Sequence, residues 1–297
     1  MRNFTILLAG GLLLLFTGAF QQTPPIRVEV DRVNVFVTVF DKDGHFVRNL
    51  GRDRFIVYED SIPQEITNFS SEMDRPLRIG LLMDTSGSVR LKLAFEKESA
   101  IRFLRGVMRR SDEALLVEFD QGVSLLHDFT NRTADIERQI EGLRSGGGTA
   151  LWDAVYTVSR DKMTDRDARK TIVVVSDGDD RNSQRSLEEA LEMAQISEVT
   201  TYAIGTNNFG ASSSKRGKSN LEELADQTGG SAFFPYTPER LDEAFEQINS
   251  ELRSQYSITY VPRDKTRDGR FRRIEVRIKD GKGLKLRHRR GYRLPEF

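Results

Sequence analysis

Three short segments of this chain concentrate oxygen-bearing side chains of the kind that grip a small hard cation. The first reads Asp84-Thr85-Ser86-Gly87-Ser88, the second Ser145-Gly146-Gly147-Gly148-Thr149 and the third Ser176-Asp177-Gly178. Magnesium favours octahedral oxygen coordination and gives up its waters reluctantly. Hydroxyls of Ser86, Ser88 and Thr149 suit direct positions, while Asp84 and Asp177 suit bound waters. If the first segment is extended, Ser86 and Ser88 point the same way, because a spacing of two returns a side chain to the same side. Gly87 and the run 146–148 permit backbone approach that a larger residue would block. Taken alone, Asp-x-Ser-x-Ser is also ordinary turn and helix-cap composition. Its weight comes from Thr149 and Asp177 on loops of matching position, and the alternative is a set that only caps helices.

The elements that must position these loops alternate. Residues 77–83 form a near-continuous apolar run of strand length, and a helical pattern follows with Leu93, Ile101, Leu104 and Met108. The segment 114–119 turns through Asp120-Gln121-Gly122 into 123–126, a hairpin signal. Thr133 is placed to cap a helix reaching Leu143, and Leu151, Trp152, Val155 and Val158 mark the next. The strongest strand signal is 171–175. A helix over 187–196, a strand over 200–204, a helix over 221–227, a strand over 232–234 and a helix over 238–252 complete the series. Strands apolar on both faces, interleaved with amphipathic helices, predict a doubly wound α/β domain over 77–253. Its sheet is mostly parallel, with one antiparallel edge strand. In such sheets ligands bind where loops leave the carboxyl ends of the strands, and all three oxygen-rich segments follow strands or enter helices there.

Outside this domain the period changes to two. Residues 26–75 carry Val28, Val30, Val33, Val35, Val37 and Val39, then strand signals over 55–58 and 65–69. Residues 255–297 return to strand pattern over 256–261, 271–278 and 284–287. Such short strands need partners, so the two segments are expected to pack together as a small β-sandwich-like unit. The stretch 263–293 holds fourteen Lys/Arg against four Asp/Glu, within a chain of zero formal net charge. Arg272, Arg273, Lys285, Arg287, Arg289 and Arg290 therefore either meet an anionic envelope surface or lie on solvated strand faces. At the other end, Arg2, an apolar run over 6–16 and Thr17-Gly18-Ala19 read as a signal peptide over 1–20. That implies export to the periplasm or beyond, with an uncleaved anchor as the alternative, and excludes nucleic acid as a natural partner. There is no cysteine, which removes thiol catalysis and thiolate metal sites.

Enzymatic chemistry finds no support in the residues. Ser86 and Ser88 lie in no G-x-S-x-G turn, the only histidines are His45, His127 and His288, and there is no phosphate-binding glycine loop after the first strand. The acidic run 177–182 lacks the EF-hand register, so Asp179 and Asp180 either tune the rim of the cation site or are solvated. The polar segment 207–219 is either a mobile loop or part of that rim, where Asn208 and Gly148 are further candidates.

The pattern Asp84-x-Ser86-x-Ser88, Thr149 and Asp177, each after the expected element, resembles the von Willebrand factor type A domain and its metal-ion-dependent adhesion site (MIDAS). The resemblance covers about residues 77–253, and the wider architecture is similar to exported bacterial proteins with a related domain. It implies Mg2+ (or Mn2+ or Ca2+) held directly by the three hydroxyls and through water by Asp84 and Asp177. It further implies an open position that accepts an Asp or Glu carboxylate from a protein partner, hence a non-enzymatic adhesion or scaffolding module. The alternative from another class is a structural envelope component, held by its β unit and basic segment, whose cation site is idle. A metal-chelatase-like accessory role rests on fold analogy alone.

Overall fold

The computed structural model describes residues 32–71, 75–165, 168–206 and 214–293. The expected signal peptide, with Val28 and Val30, lies outside the described residues, as does Asn208.

The central sheet is built from β5 (Leu77–Asp84), β6 (Glu113–Phe119), β7 (Val123–Thr130), β8 (Arg169–Ser176), β9 (Val199–Gly205) and β10 (Ala232–Phe233). Their spatial order is β10-β9-β8-β5-β6-β7. All neighbours are parallel except the β6–β7 hairpin at the edge. Strands β8 and β9 are buried at every position, which is why β8 carries the continuous run Ile172-Val173-Val174-Val175 rather than an alternating pattern.

Six helices cover this sheet: α1 (Leu93–Val107), α2 (Thr133–Gly142), α3 (Leu151–Asp161), α4 (Leu187–Ile196), α5 (Lys215–Thr228) and α6 (Pro238–Leu252). One core layer joins Ile79, Leu81 and Met83 to Phe103 and Leu104 of α1, Ile136 and Ile140 of α2, and Phe245 and Ile248 of α6. The other joins Leu82, Ile172 and Val174 to Trp152 and Val155 of α3, Leu191 of α4, and Leu221 and Leu224 of α5. The result is an α/β three-layer domain, doubly wound as expected. Two local expectations differ. Thr133 does not cap α2, whose N-cap is Arg132. Helix α5 begins at Lys215 with Ser214 as its cap, the Ser214 Oγ accepting from the Gly217 N–H at 3.0 Å. The polar composition of 215–219 thus marks an exposed first helical turn rather than a loop.

The strand order reverses between β5 and β8. β5 connects outward through α1 to β6, whereas the chain returns past α2 and α3 to place β8 on the opposite flank of β5. Connections leaving in opposite directions open a crevice at the carboxyl ends of these two strands. Asp84 and Ser176 are their last residues.

The remaining strands form two antiparallel four-stranded sheets. One has the order β13 (Lys285–Arg287), β1 (Val33–Phe40), β11 (Tyr256–Tyr260), β4 (Ile66–Ser70); the other has β14 (Gly291–Arg293), β12 (Phe271–Ile278), β2 (Phe55–Glu59), β3 (Ile62–Gln64). Strands from before and after the α/β domain therefore pair directly, Val35 opposite Ile258 and Val57 opposite Val276. Inward residues of both sheets, including Val35, Val37, Val57, Ile258 and Tyr260, share one core. The short β3 and β14 carry no strand signal in the sequence.

The basic segment lies differently from a solvated face. Arg272 is fully buried against Glu59 of β2, with Nη1 at 3.4 Å. Arg289 is buried and reaches Glu198 at 3.2 Å, Arg287 reaches the buried Glu251 at 2.8 Å, and Arg290 reaches Asp226 at 2.9 Å. Much of its positive charge is thus matched by acids of this chain.

Candidate functional site

β5 delivers Asp84 to the crevice fully buried, its carboxylate accepting from the Ser86 N–H at 2.9 Å and from the Ser176 hydroxyl at 2.6 Å. Burial pushes this carboxyl up to about 6, against those two hydrogen bonds, and the charge of Asp177 adds to the rise. The first loop is not extended beyond Ser86. A 3-10 turn over Gly87–Val89 follows, and this turn brings the Ser86 and Ser88 Oγ atoms to 2.9 Å from each other. The two hydroxyls converge for a different reason from strand alternation, the tight pitch of the turn.

Backbone hydrogen bonds lock the glycine loop to this turn. The Gly87 N–H donates to the Gly147 carbonyl at 3.2 Å, and the Gly146 N–H donates to the Thr85 carbonyl at 2.7 Å. Gly147 needs its glycine: its φ is +74°, and a Cβ there would meet Asp120 Oδ2 at 2.7 Å. The same loop is tied to the segment after β8. The Thr149 carbonyl accepts from the Arg181 and Asn182 N–H groups at 3.0 and 2.9 Å, and Asn182 Oδ1 accepts from the Thr149 N–H at 3.0 Å. Loops distant in sequence therefore meet at one crest, and these loops carry Asp84, Ser86, Ser88, Thr149 and Asp177. Asp84, Ser86 and Thr149 are buried, Asp177 half-buried and Ser88 exposed. That gradient suits a site with a buried acidic floor and Ser88 at its rim.

The expected rim residues separate into different roles. Asp180 is turned to α3: Oδ2 accepts from the Trp152 N–H at 3.1 Å and from the Ser183 hydroxyl at 2.5 Å. It thus satisfies a first-turn donor that the helix itself cannot. Asp179 accepts from the Ser214 hydroxyl at 2.5 Å, joining the loop to the start of α5. Gly148 packs on Asn182, where a Cβ would fall 1.9 Å from Oδ1. Around the crest, Arg90 is exposed, and Leu91, three residues past Ser88, is 87% exposed although apolar.

Sequence reading missed three contributors. Ser176, named in the third oxygen-rich segment but given no role there, carries the hydrogen bond to Asp84. Lys92 reaches over the crest to the Thr206 carbonyl at 2.5 Å. Glu96, in the first turn of α1, is 1% exposed; only an acid at a core position of the helical pattern signalled it. Elsewhere, Asp41, Asp43 and His45 place ligand atoms within 4.8 Å of one another, but there Asp41 accepts from the backbone N–H groups of Asp43 and His45, as in a polar turn.

Comparison with known proteins agrees with this architecture. No curated protein matches the chain. Among solved structures, a von Willebrand factor type A protein from Catenulispora acidiphila is 14% identical with a TM-score of 0.54, over 88% of this chain and 73% of that one. The vWF domain of the type V pili tip protein Mfa5 from Porphyromonas gingivalis is 15% identical with a TM-score of 0.51, over 61% of this chain and 96% of that one. Proximal thread matrix protein 1 from the mussel byssus, a structure with a zinc-occupied MIDAS motif, is 20% identical with a TM-score of 0.51, over 61% of this chain. The match spans 49% of that protein, about half its length. At these identities the likeness is one of fold. The family model for the von Willebrand factor type A domain fits residues 79–251, more than half of the 297 residues, and the chain belongs to that family.

Proposed function

We propose that the crest binds a divalent cation and, through it, an acidic residue of a protein partner. The observation that carries this reading is the pair of Ser86 and Ser88 hydroxyls, 2.9 Å apart above the buried Asp84 carboxylate. Two oxygens at that separation match adjacent ligands of a small cation held about 2.1 Å away. The donor set is oxygen only, as a hard cation requires, and a carboxyl that burial holds above its ordinary value gains from a positive charge. Thr149 completes the hydroxyl set, while Asp84 and Asp177 supply negative charge behind it. Mg2+ is the expected ion, with Mn2+ and Ca2+ as competitors.

A cation contacted mainly by neutral hydroxyls keeps most of its charge and supplies strong attraction for an incoming carboxylate. The exposed Leu91 beside Ser88 gives a partner apolar area to cover, and Arg90 gives it a favourable charge. Binding rather than catalysis follows from the neighbours of the hydroxyls. Ser86 and Ser88 hydrogen-bond each other, and among the described residues His127 and His288 take other partners, Asp128 and Arg289. The apolar run over 6–16 supports export, and the pilus-tip neighbour is a protein of this fold on a cell-surface appendage. Among the described residues no helix is long and apolar enough to cross a membrane. The rival role as a passive envelope component draws less support, because Arg272, Arg287, Arg289 and Arg290 engage acids of the chain itself.

Capture of partners from envelope extract, with Mg2+ or with chelator, tests the proposal. Wild-type chain is expected to retain a partner only with Mg2+, and Asp84→Ala to retain none while staying folded. Capture that survives both chelation and Asp84→Ala would reject it.

A further inference from the structure

Glu96 presents a problem that packing does not explain. Its side chain is 1% exposed, and neither carboxylate oxygen has a hydrogen-bond partner among the described residues. Burying an unpaired carboxyl is among the costliest substitutions a core accepts, several kcal/mol or more if charged. A leucine would fill much of the same space without that cost. The nearest cation of its own helix, Lys92, is engaged elsewhere, donating to the Thr206 carbonyl at 2.5 Å. The Thr206 hydroxyl is likewise buried and makes no close hydrogen bond, easing the Glu96 carboxyl only in part.

The surroundings of these orphaned groups lead to the crest. The Thr206 N–H donates to the Ser176 carbonyl at 3.0 Å, and Ser176 donates through its hydroxyl to Asp84 at 2.6 Å. Lys92 and Glu96, four residues apart, share one face of the start of α1, so Glu96 lies under the same end of the sheet. Its acidity reports the same neighbourhood: burial pushes its carboxyl up to about 8, the charge of Asp84 next, against the Thr206 hydroxyl and the Lys92 charge, with Asp177 adding less. Two buried acids, Asp84 and Glu96, thus lie at this end of the sheet beside the half-buried Asp177, while Lys92 gives its hydrogen bond to a backbone carbonyl.

We propose that Glu96 is a sixth cation-holding residue of this site, acting from beneath through Asp84 and bound water, and that its charge strengthens cation binding. This rests on the cation reading of the crest. The buried Glu96 and Thr206 oxygens, which make no close hydrogen bond, are then the polar floor that a hydrated cation needs, and the cation adds to the positive charge of Lys92. Carboxylates that back a metal site in this way typically change affinity 10–100-fold.

Calorimetric titration with MgCl2 and with MnCl2, on wild-type and Glu96→Gln chains, is the test, joined to thermal unfolding in chelator. Glu96→Gln is expected to weaken Mg2+ roughly tenfold or more while leaving the chelated protein as stable as wild type or more so. Glu96→Asp, which keeps the charge, should recover part of the lost affinity. A residue of purely structural importance would lower stability instead. Mg2+ affinity equal to wild type in Glu96→Gln would overturn the inference, as would a Glu96→Gln chain that fails to fold where chelated wild type folds. Wild-type chain that binds neither ion would overturn the cation site itself, a separate outcome.

Discussion

Substituting Gly178 by alanine tests whether Asp177 is held where the crest needs it. Gly178 follows Asp177, has φ +76°, and donates its N–H to the Ser176 hydroxyl at 3.1 Å. A Cβ on it would lie 2.4 Å from the Gly217 carbonyl oxygen and 2.8 Å from the Gly217 carbonyl carbon. The obstacle is the backbone of the first turn of α5, which has no rotamer to change. Gly217 is constrained in return, since a Cβ there would meet the Asp177 carbonyl at 2.4 Å. Left-handed backbone costs an L-residue roughly 1–2 kcal/mol, and overpacking adds roughly 1–3 kcal/mol. The expected loss is about 3 kcal/mol, a fall in the unfolding midpoint of roughly 6–12 °C for a domain of this size. Thermal unfolding in chelator measures it. Relief of the clash must shift the Asp177 segment, so Mg2+ affinity is expected to drop on the order of tenfold. Gly146→Ala is the control in the neighbouring loop, where a Cβ meets nothing within 4 Å, and should stay within about 0.5 kcal/mol of wild type. A Gly178→Ala chain that unfolds with the wild type and binds Mg2+ equally would refute the reasoning, because the loop and α5 would then not be in backbone contact.

Two further predictions concern the β unit. His288 is buried, with Nδ1 bonded to the Arg289 carbonyl at 2.8 Å and Nε2 accepting from the Val276 N–H at 3.3 Å, and burial lowers its pKa below 6.5. A proton on Nε2 is excluded by folding, so this contribution to stability is whole above 6.5 and is lost as pH falls toward the depressed native value. Urea midpoints followed down through that range should decline in wild type and decline less in His288→Gln; parallel curves would dismiss the idea. Removing Arg272 should cost about 3–5 kcal/mol in urea unfolding, since Glu59 would stay buried with only the Tyr260 and Tyr292 hydroxyls donating to it, at 2.7 and 2.8 Å. Arg272→Met with Glu59→Gln should recover part of that loss, and purely additive losses would show that the pair does not interact.

The sequence by itself determined most of the elements, though not β3 or β14, and singled out five oxygen-bearing positions. The valine run of β8 and the helix from Leu187, with its Ser186–Glu189 capping box, are local patterns whose period and end signals need no distant partner. The spacing of Asp84, Ser86 and Ser88 is equally local, and the rule that loops at the carboxyl ends of parallel strands hold ligands carried it to a site. What tertiary structure decided were matters of partnership. A first-turn glutamate reads as an exposed acid near a helix N-terminus; only the packing of α1 in the folded domain buries Glu96, with Lys92 turned to the Thr206 carbonyl. Asp180 reads as a rim acid until α3 offers it a free N–H from another segment. Arg272 and Arg289 read as solvated because strand alternation assigns one face outward, but Glu59 and Glu198 arrive from elements far along the chain and make burial tolerable. Periodicity encodes which side of an element is apolar. It does not encode which charges will meet when elements distant in sequence close over one another, because that depends on the fold as a whole.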